Sequence, residues 1–189
     1  VTVVPVNYRL APTVTVGEIV EDVLEALRWV HDHIAEHGGD PDRITVSGHS
    51  AGAHLAALVL AHDWTAEGRP VDLVKGAALL SGIYDLEPVP LLPVNQEIGL
   101  TPEHATAMSA MLRPPLVHEG IAPPRLLIGA GGDEPADWIR QSVDYAALCE
   151  SLGLPVTHQD FPGENHFSMM EQMTDPESLM FKAIRRLVG

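Results

Sequence analysis

Residues 44–55 read ITVSGHSAGAHL, a strand pattern that passes directly into a helix pattern. A β-branched run ends at Gly48, a serine stands between two glycines, and small apolar residues continue beyond it. A sharp strand-to-helix turn strains its central residue, so the flanking Gly48 and Gly52 must be small. The turn lifts the Ser50 hydroxyl clear of the backbone and aims the Ala51 amide at any oxyanion formed there. The stretch predicts an exposed serine nucleophile, with an ordinary tight turn as the alternative.

The rest of the chain alternates between strand and helix patterns, with a long proline-rich loop over 81–115 that contains two short helices. Strands alternating with helices predict one α/β domain over residues 1–189, with a mostly parallel sheet covered by helices on both faces. The predicted strands span 1–6, 43–47, 74–80, 124–129 and 156–161, and the predicted helices span 17–37, 51–62, 94–99, 102–108, 138–152 and 176–188.

A nucleophilic serine needs a base, and the base needs a third group that orients it. Of the ten histidines, His166 has the most suitable position, because it follows the last predicted strand in the loop FPGENHF. The loop after the fourth predicted strand reads GAGGDEPAD and offers Asp133 and Glu134 as the acid. Asp133 comes first after the strand and Glu134 reaches further, so the residues themselves leave the choice open.

Composition excludes several classes of function. The formal net charge of −15 argues against nucleic acid or an anionic membrane surface as a partner. No histidines and carboxylates have zinc-site spacing along the sequence, so we expect no metal and no cofactor. Cys149, the single cysteine, lies in an apolar helical stretch and is expected to be buried rather than nucleophilic. With no basic leader and no apolar run of about 18 residues, the sequence favours a cytoplasmic protein that acts on a small molecule.

The chain resembles the α/β-hydrolases, and more narrowly the kynurenine formamidase (arylformamidase) group and its carboxylesterase relatives. The resemblance runs almost end to end, through NYRLAP, DPDRITVSGHSAGAHLAA, LLSGIYDLEP, NQEIGLT and ENHF. GHSAGAHL is especially specific, because hormone-sensitive-lipase-like esterases usually have aspartate where this chain has His49. The resemblance implies an α/β-hydrolase fold with Ser50 as nucleophile and His166 as base. Counting back from IRQS places Glu134 at the family's acid position, whereas counting forward from the strand favours Asp133; Glu134 is the preferred of the two.

One departure from the family concerns the oxyanion hole. Relatives carry a His-Gly-Gly loop ahead of the NYRLAP strand, and nothing in this sequence matches it. In those relatives the strand before that loop lies between the NYRLAP strand and the nucleophile strand. We therefore expect a fold that lacks the family's N-terminal strands. Either the natural protein is longer, or residues 1–6 pair directly with 43–47, or a partner chain fills the gap.

The expected activity is hydrolysis of a small acyl compound, first an arylformamide such as N-formylkynurenine and alternatively a short-chain ester. His49, Tyr84 and Asp85 are the expected walls of the substrate pocket. A function of another class is a catalytically impaired fragment that serves as a binding or homodimerising module.

Overall fold

A computed structural model describes the whole chain, Val1–Gly189. Its centre is a four-stranded parallel sheet in the order β1-β2-β3-β4. The strands are Ile44–His49 (β1), Val74–Leu80 (β2), Arg125–Gly129 (β3) and Val156–His158 (β4). Because all four strands run in one direction, the loops that follow them meet at one edge of the sheet.

The helices follow the predicted alternation. They are Val16–His33 (α1), Ala51–Leu60 (α2), Asn95–Ile98 (α3), Pro102–Met108 (α4), Ala136–Ser151 (α5), Ser168–Gln172 (α6) and Leu179–Val188 (α7). Helix α1 begins at a capping box, in which Thr15 accepts from the Glu18 amide and Glu18 reaches back to the Thr15 amide. The chain contains no helix with the length and apolar character that a bilayer crossing requires.

Both faces of the sheet are covered, because neighbouring residues of a strand point to opposite sides. On β2, Ala77 and Leu79 belong to the main core cluster with α1, α2 and α5. Ala78 and Leu80 point the other way, into smaller clusters with α6 and α7. The predicted α/β class, with a parallel sheet between helices, is confirmed.

The predicted strand at Val1–Val6 is wrong. These residues form no strand, and Val1 and Val3 are 101% and 78% exposed. A groove of about 570 Å³ lies between Val1–Tyr8 and the outer edge of β1. β-branched residues favour extended backbone, but a strand forms only where the backbone groups meet a neighbouring strand, and the groove separates the two segments. The alternative of direct pairing with residues 43–47 is therefore also wrong.

The other differences concern boundaries. β4 stops at His158, although an isolated bridge joins Gly131 to Phe161 further on. The final predicted helix, 176–188, begins only at Leu179, where the Ser178 side chain accepts from the Phe181 amide. The short helix α6, directly after His166, was not predicted.

Candidate active site

Ser50 sits on a strained turn between β1 and α2. Its backbone angles are φ 57° and ψ −121°, in a region that residues other than glycine rarely adopt. Its amide donates to Leu80 O at 2.9 Å, which ties the turn to β2. The Ala51 amide follows directly as the first N–H of α2, and no carbonyl of the helix accepts from it. The turn therefore presents a hydroxyl beside a free amide.

The two glycines that flank the serine differ in their surroundings. A Cβ at Gly48 would lie 2.1 Å from Gly52 O and 2.6 Å from Ala53 N, so position 48 has no room for a side chain. A Cβ at Gly52 would meet nothing within 4 Å, and Gly52 lines the groove beside β1. The sequence pattern predicts that both positions require a glycine for steric reasons, but in the structure only position 48 does.

A hydrogen-bonded chain links residues that are 116 and 32 positions apart in sequence. His166 Nε2 lies 2.9 Å from Ser50 Oγ, and His166 Nδ1 lies 3.1 Å from Glu134 Oε1. A carboxylate oxygen can only accept, so Nδ1 carries the proton and Nε2 is free to accept from the serine hydroxyl. A serine, an imidazole and a carboxylate linked in this order have the geometry that nucleophilic catalysis requires.

The loop after β3 determines which acid reaches His166. The Glu134 amide donates to Gly131 O in a turn that buries the Glu134 side chain completely, at 0% exposure. Asp133 is exposed, and its amide donates to Glu164 O. Of the two sequence candidates, the fold brings Glu134 to the imidazole and leaves Asp133 in solvent.

Close backbone contact joins the acid loop to the histidine loop. A Cβ at Gly131 would lie 2.3 Å from Glu164 O, so glycine is what allows the two loops to touch. The Gly132 amide donates to Phe161 O at 2.9 Å across the same contact. Sequence reasoning did not assign a role to this glycine pair, although its position directly after a buried strand was a signal.

Three rings surround the His166 imidazole. The His49 ring centroid is 4.4 Å away, and the rings of Trp138 and Phe167 meet the imidazole edge-on at 5.4 and 5.7 Å. Trp138 is fixed by a hydrogen bond from its Nε1 to Ser81 O. No pattern in the sequence of α5 marks Trp138 as a site residue, and it was not predicted. Burial first, and the nearby His166 second, lower the pKa of His49.

Of the two expected pocket walls after β2, Tyr84 is not accessible to a substrate. Tyr84 is fully buried and stacks on Tyr145 with ring centroids 4.2 Å apart, so it is a core residue and its assignment to the pocket is wrong. Asp85 closes a local turn by accepting from the Glu87 amide. Burial raises the pKa of Cys149, which is fully buried as expected, to about 12.

The fold also brings together three possible metal ligands that are far apart in the sequence. His49, Glu134 and His166 each place a ligand atom within 4.8 Å of the others. Because two of these residues lie on loops far along the chain, the search for zinc spacing in the sequence could not find them.

Residues 1–170 match the family model described as the alpha/beta hydrolase fold. The chain belongs to the α/β-hydrolase family. The family that the sequence resemblance implies is thereby confirmed, and its known relatives include formamidases and esterases.

Among curated relatives, the α/β-hydrolase chain is 33% identical to kynurenine formamidase of Danio rerio over 187 residues, which are 99% of this chain and 62% of that protein. It is 44% identical to esterase LipQ of Mycobacterium tuberculosis over 88 residues, which are 44% of this chain and 21% of that protein. The chain spans 62–63% of the length of the kynurenine formamidases of Danio rerio and Salmo salar.

Among solved structures, it is similar to EstE1, a thermostable carboxylesterase cloned from a metagenomic library. The TM-score is 0.72 at 26% identity, with 96% of this chain and 65% of that chain covered.

Proposed function

We propose that this chain carries the catalytic centre of a serine hydrolase that cleaves a small acyl amide, with an arylformamide of the N-formylkynurenine type as its first substrate. The observation that carries the proposal is the position of His166, whose two ring nitrogens lie 2.9 Å from Ser50 Oγ and 3.1 Å from Glu134 Oε1. The similarity to kynurenine formamidase over 99% of the chain supports the substrate class.

In the acylation step, Ser50 Oγ attacks the formyl carbon while His166 Nε2 takes the hydroxyl proton. The carbonyl oxygen becomes an oxyanion, which the Ala51 amide and the N-terminal end of α2 stabilise. When this intermediate collapses, the C–N bond breaks and the arylamine leaves with the proton from His166. Glu134 keeps the imidazole in the orientation and tautomer that this proton transfer needs.

In the deacylation step, His166 takes a proton from water, and the resulting hydroxide attacks the formyl-serine ester. The C–O bond to Ser50 breaks, the serine recovers its proton, and formate leaves. The same base thus acts twice, and the enzyme returns to its starting state.

The rings around His166 support an aromatic substrate. Phe167 is 82% exposed although its ring lies directly against the imidazole, and Trp138 flanks the imidazole from α5. An exposed aromatic ring beside the reacting groups offers a stacking partner for an aryl leaving group, at about 0.5–1.5 kcal/mol for a well-oriented pair.

A short-chain carboxylesterase is the second candidate. The similarity to LipQ and to EstE1 favours it, because those two proteins are described as an esterase and a carboxylesterase. Its chemistry uses the same three side chains with an alcohol instead of an arylamine as leaving group.

The test compares N-formylkynurenine with p-nitrophenyl acetate as substrates, using the wild type, Ser50→Ala and Ser151→Ala. Ser151 is an exposed serine at the end of α5 and is the matched control. Ser50→Ala removes the nucleophile and should lower kcat by at least about 1,000-fold on both substrates, whereas Ser151→Ala should leave it unchanged.

Brisk ester cleavage with little formamide turnover would replace the first candidate by the second. Equal rates for the wild type and Ser50→Ala would remove both hydrolase proposals and leave the binding or dimerising module that the sequence analysis names.

A further inference from the structure

His49 takes no part in the proposed reaction, and its position is unusual for a residue without a function. Its Nε2 is buried and has no hydrogen-bond partner, while its ring lies against that of His166. A buried polar atom without a partner costs free energy, so it marks a place where a ligand would be stabilising.

Glu134 has an atom of the same kind. Its Oε1 accepts from His166 Nδ1, but its Oε2 is buried without any partner. The side chain is completely buried, at 0% exposure, so water does not satisfy it from the surface. The carboxylate therefore has one oxygen free for another ligand.

Together these groups have the composition and spacing of a transition-metal site. Two imidazoles and one carboxylate are a common ligand set for zinc, with a water in the fourth position. Ligand atoms 2.0–2.2 Å from a tetrahedral ion lie about 3.3–3.6 Å apart. The Glu134 carboxylate and the His166 imidazole are already in contact, with Oε1 3.1 Å from Nδ1, and one ligand atom from each of the three residues lies within 4.8 Å of the other two. The unpartnered Oε2 is the carboxylate oxygen available to the ion. Side-chain shifts of about 1 Å bring all three ligand atoms to that spacing.

We propose that His49, Glu134 and His166 bind a divalent zinc ion and that binding switches the hydrolase off. The ion coordinates His166 at Nδ1, and the proton that Nδ1 carried passes to Nε2. An Nε2 that carries a proton cannot accept the proton of Ser50, so the serine is no longer activated. The loss of activity rests on the proposed function, whereas the binding of zinc does not.

The binding test is calorimetric titration of ZnCl₂ into the whole chain, using the wild type, His49→Phe and His62→Asn. His62 is the matched control, because its imidazole also pairs with a glutamate, Glu67 at 2.7 Å, but belongs to no cluster of three metal-ligating side chains. His49→Phe should weaken the site by at least about tenfold, and His62→Asn should leave it intact. MgCl₂ should not bind, because Mg²⁺ prefers oxygen ligands.

A second measurement keeps the test valid if His49→Phe folds poorly. Zinc should raise the Tm of the wild type and of His62→Asn but not that of His49→Gln, because a ligand that binds only the native state stabilises it. The proposal is overturned if wild-type zinc binding is absent, if it survives both His49 variants, or if it disappears with His62→Asn.

The activity test uses the better substrate with added zinc and then EDTA. Zinc should abolish wild-type turnover, EDTA should restore it, and any turnover of His49→Gln should be insensitive to zinc. Zinc that binds through His49 while wild-type turnover continues would overturn the switch. If Ser50→Ala retains full turnover, the proposed function fails, and calorimetry still decides the zinc site.

Discussion

Glu134 and Asp133 are neighbours in sequence but have opposite surroundings. One carboxylate is enclosed against His166, and the other is exposed and makes no contact with the imidazole. Because a buried carboxylate can fix an imidazole tautomer and an exposed one cannot, the two residues give a matched pair of variants.

Glu134→Gln should lower kcat by about 10,000-fold, because the amide of glutamine can donate to Nδ1 and leave the proton on Nε2, the wrong tautomer for a base. Asp133→Asn should stay within about twofold of the wild type. Steady-state kinetics on the better substrate measures both. A larger loss in Asp133→Asn than in Glu134→Gln would show that the acid is misassigned.

At this scale the sequence predicted Ser50 and His166, because each follows directly on a strand pattern in a glycine-containing loop. The residues alone left the acid open between Asp133 and Glu134, since one residue of difference in a turn reverses which side chain points inward, and only the family resemblance favoured Glu134. It also assigned Tyr84 to the pocket, because a tyrosine in a loop looks accessible until Tyr145 is known to stack on it.

Substitutions of the two glycines that flank Ser50 would test how tightly the junction between β1 and α2 is packed. At Gly48 an added methyl group meets the backbone of Gly52 and Ala53, which cannot move without displacing the start of α2. At Gly52 an added methyl group meets only open space. Glycine inside a helix is less favourable than alanine by up to about 1 kcal/mol.

Gly48→Ala should therefore lower the free energy of unfolding by about 1–3 kcal/mol. Gly52→Ala should leave it unchanged or raise it slightly. Equilibrium unfolding in urea gives both values from the shift of the midpoint. Equal midpoints for the two variants would contradict the packing described for Gly48.

Element prediction succeeded where local pattern and tertiary contact agree. β2 was predicted at its exact bounds, 74–80, because a continuous apolar run fits a strand buried on both faces. The Val1–Val6 segment is equally rich in β-branched residues but forms no strand. Whether a neighbouring strand is available to pair with it depends on the assembled sheet and cannot be seen in the segment itself. Helix α6, like the equally short α3, has too few residues for a periodic pattern, and it was missed because its stretch was assigned to the loop that carries His166.

The stability of the whole molecule should depend on pH through its buried histidines. His54 is 5% exposed, its Nε2 donates to Met108 O at 2.7 Å, and burial, reinforced by the charge of Arg113, lowers its pKa. A histidine with a lowered pKa in the folded state stays neutral there while the unfolded chain takes up a proton below about pH 6.5. The contribution of His54 to the free energy of unfolding is therefore fully present above that pH and decreases as the pH falls. Among the carboxylates, the hydrogen bond from Arg28 holds the pKa of Glu67 at about 2, so its contribution is lost only at much lower pH.

The free energy of unfolding should thus be lower at pH 5.5 than at pH 7.5, and His54→Gln should reduce that difference. Glutamine keeps a donor for Met108 O but does not titrate in this range. Part of the dependence should remain, because the pKa of His49 is lowered as well. His104→Gln, an exposed position on α4, is the control and should show the wild-type difference. A His54→Gln variant with the same pH dependence as the control would contradict the assignment.

The backbone contact between the loops after β3 and β4 has a consequence for engineering. Gly131, Gly132 and Glu164 hold the acid and the base together through main-chain groups, and none of those contacts involves position 50. The proposed attacking atom can therefore be exchanged while the proposed base and its carboxylate keep their geometry. A cysteine at that position would meet a ready-made imidazole and form a thiolate–imidazolium pair, which alkylating reagents such as iodoacetamide would modify faster than a free thiol.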